Sequence, residues 1–310
     1  MQNFEVKKMS AFVLKIIAVV SMVVDHLAVV LYGRNFPSWN MYLYMRAFGR
    51  LAFPLYCFLL VNGFEKTSNR KKYLSRLVMF AALSQIPFAM VFSDMNYGEI
   101  SATTALSFNY DIWLYLLFSL CVVAAYLLFC NRDISVLWLC LALLFGQLRA
   151  QVAGYEYLSW ELSVFYTLSL GFVTIWIIEG WTSKRVGLTG TLIRAAVAIM
   201  LIWVFEGRID YSLLGIVLIV ALYLCRHDRT AQMAAVGLWC FAYYSNVAVQ
   251  LFYFSFVAAL LVRLYNGEKG GPAKHSALVK WGFYVIYPVH LLALGAANIL
   301  FRCTEEKQQL

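Results

Sequence analysis

Apolar runs of membrane-spanning length recur from one end of this 310-residue chain to the other, and the first, LKIIAVVSMVVDHLAVVLY, holds an Asp25-His26 pair inside it. Within hydrocarbon every backbone N–H and C=O must be satisfied by protein, so only α-helices and closed β-barrels cross a bilayer. None of the runs alternates apolar and polar residues as a barrel strand does, which leaves helices. Composition agrees: 63% hydrophobic and 13% charged residues with a mean hydropathy of +0.73 leave too little polar surface for a soluble globule. The expected fold class is all-α, a polytopic transmembrane helical bundle of about 10–11 spans, in a single domain over residues 1–310.

The spans are expected at 12–32, 46–63, 74–92, 112–130, 134–148, 162–179, 189–206, 211–225, 231–245, 247–264 and 281–301, those at 134–148, 211–225 and 231–245 being short. Cytoplasmic loops of membrane proteins collect lysine and arginine. With the N-terminus cytoplasmic, seventeen of the 25 basic residues fall at cytoplasmic ends, only Arg34, Arg149, Arg208, Arg302 and Lys307 fall outside, and Arg46, Arg50 and Arg194 fall within spans. The net charge of +9 is therefore an orientation signal. Spread over separate short loops, these residues make no nucleic-acid face. The first run contains Asp25 and no small-residue cleavage site, so it is read as a retained helix and not a signal peptide. The seven cysteines include no C-x-x-C pair and read as packing residues, with neither a disulfide frame nor a metal-ligand spacing. GEKGGPAKHS at 267–276 reads as the loop joining the last two spans.

Four polar groups stand out. An intramembrane ionisable residue marks a protein interior or aqueous path, and Asp25 and His26 are two such residues. Lys15 precedes His26 by eleven positions, almost three whole turns, so the two share a face about 16 Å apart along the axis. Asp25, one residue from His26, points about 100° away and is placed to meet an arginine of the second span. That arginine is Arg46 or Arg50, spaced four apart in YMRAFGRLAFPLY on one helix stripe ahead of Pro54. Their guanidiniums suit a carboxylate, a phosphate or a developing oxyanion, while Arg46 has the alternative of reaching out to the interface. The third group is Lys66, Arg70, Lys71, Lys72 and Arg76, an attraction for a polyanionic donor or for anionic headgroups. The fourth is His290 in YVIYPVHLL, where Pro288 interrupts the hydrogen-bond ladder and Tyr284 or Tyr287 is within reach.

The segments LKIIAVVSMVVDH (14–26), FGRLAFPLYCFLLVNGFEKTSNRKKYLSRL (48–77), SVFYTLSLG (163–171) and DYSLLGIVLIVALYL (210–224), with LYNGEKGG and FYVIYPVHLL near the end, resemble the TraX family, membrane proteins related to the pilin N-acetylase of conjugative plasmids. That family is similar in turn to a wider group of membrane acyltransferases, including the acyltransferase-3 family and heparan-α-glucosaminide acetyltransferases. In the acyltransferase-3 family an arginine stands eleven positions before a first-helix histidine. Lys15 fills that slot here, keeping the charge without the planar fork.

The resemblance implies a bacterial inner-membrane acyltransferase that takes an acetyl group from cytoplasmic acetyl-CoA to a hydroxyl or amine of an envelope acceptor. The acceptor is a glycan, a lipid-linked molecule or a peptide. Lys15, Arg46, Lys66, Arg70, Lys72 and Arg76 would hold the donor. His26 would act as general base or carry the acyl group itself, and Arg50 or His290 would stabilise the oxyanion, with Asp25 setting the local charge. No metal is required. Beyond the acyl donor and acceptor, the expected partners are membrane lipid and, through lipid-facing surfaces, a second copy in a homodimer. The alternative from the residues alone is a secondary transporter or flippase, in which buried Asp, His and Arg form a proton or substrate path.

Overall fold

The computed structural model describes residues 9–32, 38–92, 162–182, 210–244, 249–271 and 276–309. Helices account for most of them, in chain order α1 (Ala11–Tyr32), α2 (Trp39–Gly49), α3 (Ala52–Lys66), α4 (Arg70–Phe92), α5 (Val164–Thr182), α6 (Ser212–Leu224), α7 (Arg229–Tyr244), α8 (Val249–Arg263) and α9 (Ser276–Gln309). The fold is an all-α helical bundle. The expected spans at 112–130, 134–148 and 189–206 lie outside the described residues. Three stretches are long and apolar enough to cross a membrane, Ala11–Tyr32, Trp39–Lys66 and Arg70–Phe92, and Val164–Gly180, Ser212–Leu224 and Tyr253–Arg263 are shorter apolar helices.

The chain forms two compact units, one of Met1–Lys66 with Leu214–Ile286, the other of Thr67–Leu213 with Tyr287–Leu310. In the first unit α1 packs on α2 and α3, α8 packs on α2, α3 and α7, and Leu14, Ala18, Leu55, Phe58, Val61, Ile219 and Val262 fill the interior. The outward faces are also apolar: Val13, Ile16 and Val20 on α1, Leu214 and Val217 on α6, Leu238 and Phe241 on α7, and Tyr253, Val257 and Leu260 on α8 are exposed. A soluble protein leaves such residues outside singly; whole apolar outer faces are what lipid covers. In the second unit α4 packs against α5.

The helices begin where short polar side chains take up the N–H groups that a first turn leaves unpaired. Ser38 accepts from Met41 N–H ahead of α2, Asn69 Oδ1 from Lys72 N–H (2.8 Å) ahead of α4, and Asp228 Oδ1 from Thr230 N–H (2.7 Å) at α7. At α1 the first N–H groups go instead to the loop after α8: Ala11 N–H donates to Glu268 C=O (2.9 Å) and Phe12 N–H to Lys269 C=O (3.0 Å), while Met9 N–H bonds Leu264 C=O (2.9 Å). That loop therefore sits on the start of α1. A Cβ at Gly270, where φ is +61°, would run into Ser10, so glycine is required there for both conformation and space. Lys66 Nζ ties the end of α3 to the same loop through Gly267 C=O (2.6 Å). Lys15, Lys66, Arg226, Arg229, Arg263 and Lys269 consequently share one end of the unit, as the loop-charge reading requires of residues assigned to one side of a membrane.

One expected boundary is corrected. The span read at 46–63 is longer, Trp39–Lys66, and is broken between Gly49 and Ala52 into α2 and α3. Pro54 explains the position: it has no N–H to donate to Arg50 C=O and its ring crowds that carbonyl, so a continuous helix is disfavoured there. In the first turn of α3 the missing donor is one that needs no partner.

Candidate functional site

The break between α2 and α3 places two cations against the buried part of α1. Arg50, the residue after α2, donates from Nη2 to both Asp25 oxygens, 2.5 Å to Oδ1 and 2.6 Å to Oδ2, and Arg46, one turn earlier, donates from Nη1 to Oδ2 at 2.8 Å. Arg50 also turns its Nε–H back onto Arg46 C=O (3.2 Å), the carbonyl that its own backbone N–H bonds as well (3.2 Å). The three side chains are 11%, 13% and 21% exposed for Asp25, Arg50 and Arg46. Gly49 permits the approach: a Cβ there would occupy the position of the Asp25 side chain. Arg46 is thus turned inward, and the alternative of reaching to the interface is overturned.

Two guanidiniums meet one carboxylate here, an excess of cation over anion among these three side chains, and His26, 9% exposed, is the next residue on α1. With both Asp25 oxygens taken by arginines, the carboxylate serves as the anchor of the cationic pair, in line with the 100° separation from the imidazole. Fixed guanidinium N–H groups in a poorly hydrated site are suited to a developing oxyanion or an anionic substrate group. One residue beside this group was missed in the sequence. Tyr56 of α3 directs its hydroxyl to Met22 Sδ at 3.7 Å, and Met22 lies one turn before His26. Six residues beyond Arg50, it would stand well away from that arginine's face on a straight helix, so spacing gave no signal; the break at Arg50-Leu51 changes the face that such counting gives.

The remaining expected site residues fall in several places. Lys15 is half-buried with Nζ 5.3 Å from the centre of the Phe283 ring. Lys66 closes the first unit, donating to Tyr265 Oη (3.1 Å) and Gly267 C=O (2.6 Å). Arg70, Lys72 and Arg76 belong to the second unit. There Arg70 forks onto Glu179 of α5, Nη2 to Oε1 at 2.6 Å and Nη1 to Oε2; Arg76 is buried beside the Tyr73 ring; and Lys72 is exposed. His290 also lies in the second unit, half-buried, its ring edge-on to Tyr287 at 5.7 Å. α9 continues through Pro288. Cys57 and Cys240 are buried and unpaired, as packing residues are. Among the described residues no three His, Cys, Asp or Glu side chains gather as metal ligands.

A family model described as TraX protein matches residues 10–157 and 117–298. The chain belongs to the TraX family. Among curated proteins it is similar to the probable fimbrial assembly protein FimC, serogroup H1, of Dichelobacter nodosus, with 46% identity over 79 residues, 26% of this chain. The matched stretch spans about a third (31%) of the length of that relative. No solved structure matches the chain. Asp25, His26, Arg46, Arg50 and Tyr56 all lie within the first TraX-matched segment.

Proposed function

We propose that this TraX-family membrane protein is an acyltransferase that moves an acetyl group from acetyl-CoA to a hydroxyl or amine on an envelope acceptor. The observation that carries the reading is the buried Asp25–Arg46–Arg50 group beside His26. A purely structural contact would be satisfied by one arginine on one carboxylate; the second adds cationic N–H groups at the same buried place, which suit an anion that comes and goes.

In this scheme the acceptor O–H or N–H attacks the thioester carbonyl carbon while the His26 imidazole takes its proton. The carbonyl oxygen becomes an oxyanion beside the surplus guanidinium charge. The C–S bond then breaks, and the thiolate leaves with the proton returned from His26. The donor enters from the cytoplasmic side, past Lys15 and Lys66, along the face of α1 that leads to His26. The fimbrial assembly role in the relative's name supports a fimbrial subunit amine as one acceptor, alongside a glycan or lipid-linked hydroxyl.

Membranes carrying His26→Ala, supplied with radiolabelled acetyl-CoA, are expected to incorporate about 10²-fold less label into envelope fractions than wild type. Unchanged incorporation would remove His26 from the reaction. Absence of any protein-dependent label in wild-type membranes would remove the acyl transfer itself and favour a carrier.

A further inference from the structure

At the end of the first unit that carries Lys66, a second arginine is held in place without a carboxylate. Arg229, the first residue of α7, donates from Nη1 to Gln232 Oε1 (2.5 Å) and from Nη2 toward Asn62 Oδ1 (3.5 Å). Each of these amides is itself fixed. Gln232, fully buried, donates its Nε2 to Leu222 C=O (3.0 Å), and Asn62, also buried, donates its Nδ2 to Phe58 C=O (2.8 Å). One N–H of each amide is thereby held by a backbone carbonyl, and the oxygens face the guanidinium. Arg229 Cζ further rests 5.3 Å from the Phe58 ring centre and 4.9 Å from that of Tyr265. Tyr265 Oη accepts from Lys66 Nζ, which lies 5.6 Å from the same ring centre.

Two cations therefore share one tyrosine, and the carboxylates next to them along the chain bond to other groups. Glu65 pairs with Arg226 (3.1 Å), Asp228 caps α7, and Glu268 accepts from the Asn266 amide (3.2 Å). Among the described residues no carboxylate takes Lys66 or Arg229. Neutral acceptors fix a guanidinium without cancelling its charge, and an aromatic face adds attraction without neutralisation. Arg229 also keeps three of its five N–H donors uncommitted among the described residues, and Lys66 one of three.

We infer that Lys66, Arg229 and Tyr265 form a phosphate-binding site, which takes the phosphate group of a soluble phosphoester or of an anionic lipid headgroup. A planar fork beside an ammonium is the donor arrangement that suits a phosphate's oxygens. The inference stands on binding and does not depend on acyl transfer.

The test uses the full chain purified in detergent, with two probes. Adenosine 3′,5′-bisphosphate is titrated in solution by calorimetry, and phosphatidylglycerol retention from mixed micelles is followed by native mass spectrometry. Wild type is expected to bind at least one probe; the first alone indicates a soluble phosphoester, the second alone a headgroup, and both the shared phosphate chemistry. Arg229→Gln is expected to weaken the bound probe about tenfold or more, and Lys66→Gln several-fold. Lys66 is exposed, so Lys66→Gln is the milder change to the fold and decides the matter should Arg229→Gln not fold. Binding of neither probe by wild type, or unchanged binding by the folded variants, overturns the site.

Discussion

Replacing Asp25 by asparagine keeps the shape of the side chain and removes the one charge that both Arg46 and Arg50 face. Breaking a buried ion pair by deleting one partner costs about 3–5 kcal/mol, since the remaining charge is left in a poorly solvated place. Here two guanidiniums are stranded, at 13% and 21% exposure, so Asp25→Asn belongs at the upper end of that range. Arg50→Gln removes two short bonds and leaves Asp25 with Arg46 alone. Arg46→Gln removes one bond from the more exposed arginine, and the Asp25–Arg50 contact survives; a charge-assisted hydrogen bond of this kind is worth about 1.5–3 kcal/mol. The expected order of destabilisation is Asp25→Asn, then Arg50→Gln, then Arg46→Gln. A thermal-unfolding series in one detergent reads it directly, and the pair Asp25→Asn with Arg50→Gln should cost less than the sum of the two. Equal midpoints for Asp25→Asn and wild type, or a larger loss for Arg46→Gln than for Arg50→Gln, would refute the charge argument.

Gly49→Ala gains helix propensity of about 1 kcal/mol but puts a methyl group where the Asp25 side chain lies; overpacking of about 1–3 kcal/mol should prevail and lower the unfolding midpoint. A midpoint at or above that of wild type would show that α1 does not approach α2 at Gly49. In the second unit Glu179→Gln breaks the Arg70 fork, whose side chains are 22% and 24% exposed; the expected loss is about 1–2 kcal/mol, narrowing in about 0.5 M salt because the pair is partly solvated. A loss that salt does not alter would mean the pair is buried more deeply than its exposure indicates.

The helical bundle was legible because backbone satisfaction in an apolar run acts on every residue of that run, so the signal accumulates along it; of the expected spans, three described stretches have the length and apolarity to cross a membrane. The meeting of Asp25 with an arginine on the second span was legible for a related reason: a buried carboxylate needs a partner, and only Arg46 and Arg50 were near enough in depth. Where the chain departs from a straight helix, residue counting fails. Pro54 was noticed, yet its effect is felt four residues earlier, at Arg50, and that shift decides which way Arg50 and Tyr56 face. Arg229 left no local mark at all. Its partners come from α3, from α7 and from the loop after α8, and a positive charge near a loop already had a sufficient explanation in membrane orientation.

The first unit treats its arginines in two contrasting ways, and the contrast predicts different responses to the same substitution type. Arg50 is held by a carboxylate, so its charge is mostly cancelled, and removing its partner Asp25 strands a buried cation. Arg229 is held by the amide oxygens of Asn62 and Gln232, and removing either leaves its charge as uncompensated as before. Neutral hydrogen bonds contribute only about 0.5–1.5 kcal/mol each, which is insufficient reason to place a cation among buried amides unless something negative completes the arrangement. A stable resting structure thus accounts for the Asp25–Arg50 pair, with Arg46 as the second cation on the same carboxylate, while the Arg229 cluster makes energetic sense when an anion is bound. Ligand binding should accordingly raise the unfolding temperature of the wild-type protein and fail to raise that of Arg229→Gln, whereas Asp25→Asn, if it folds, should retain the ligand-dependent rise.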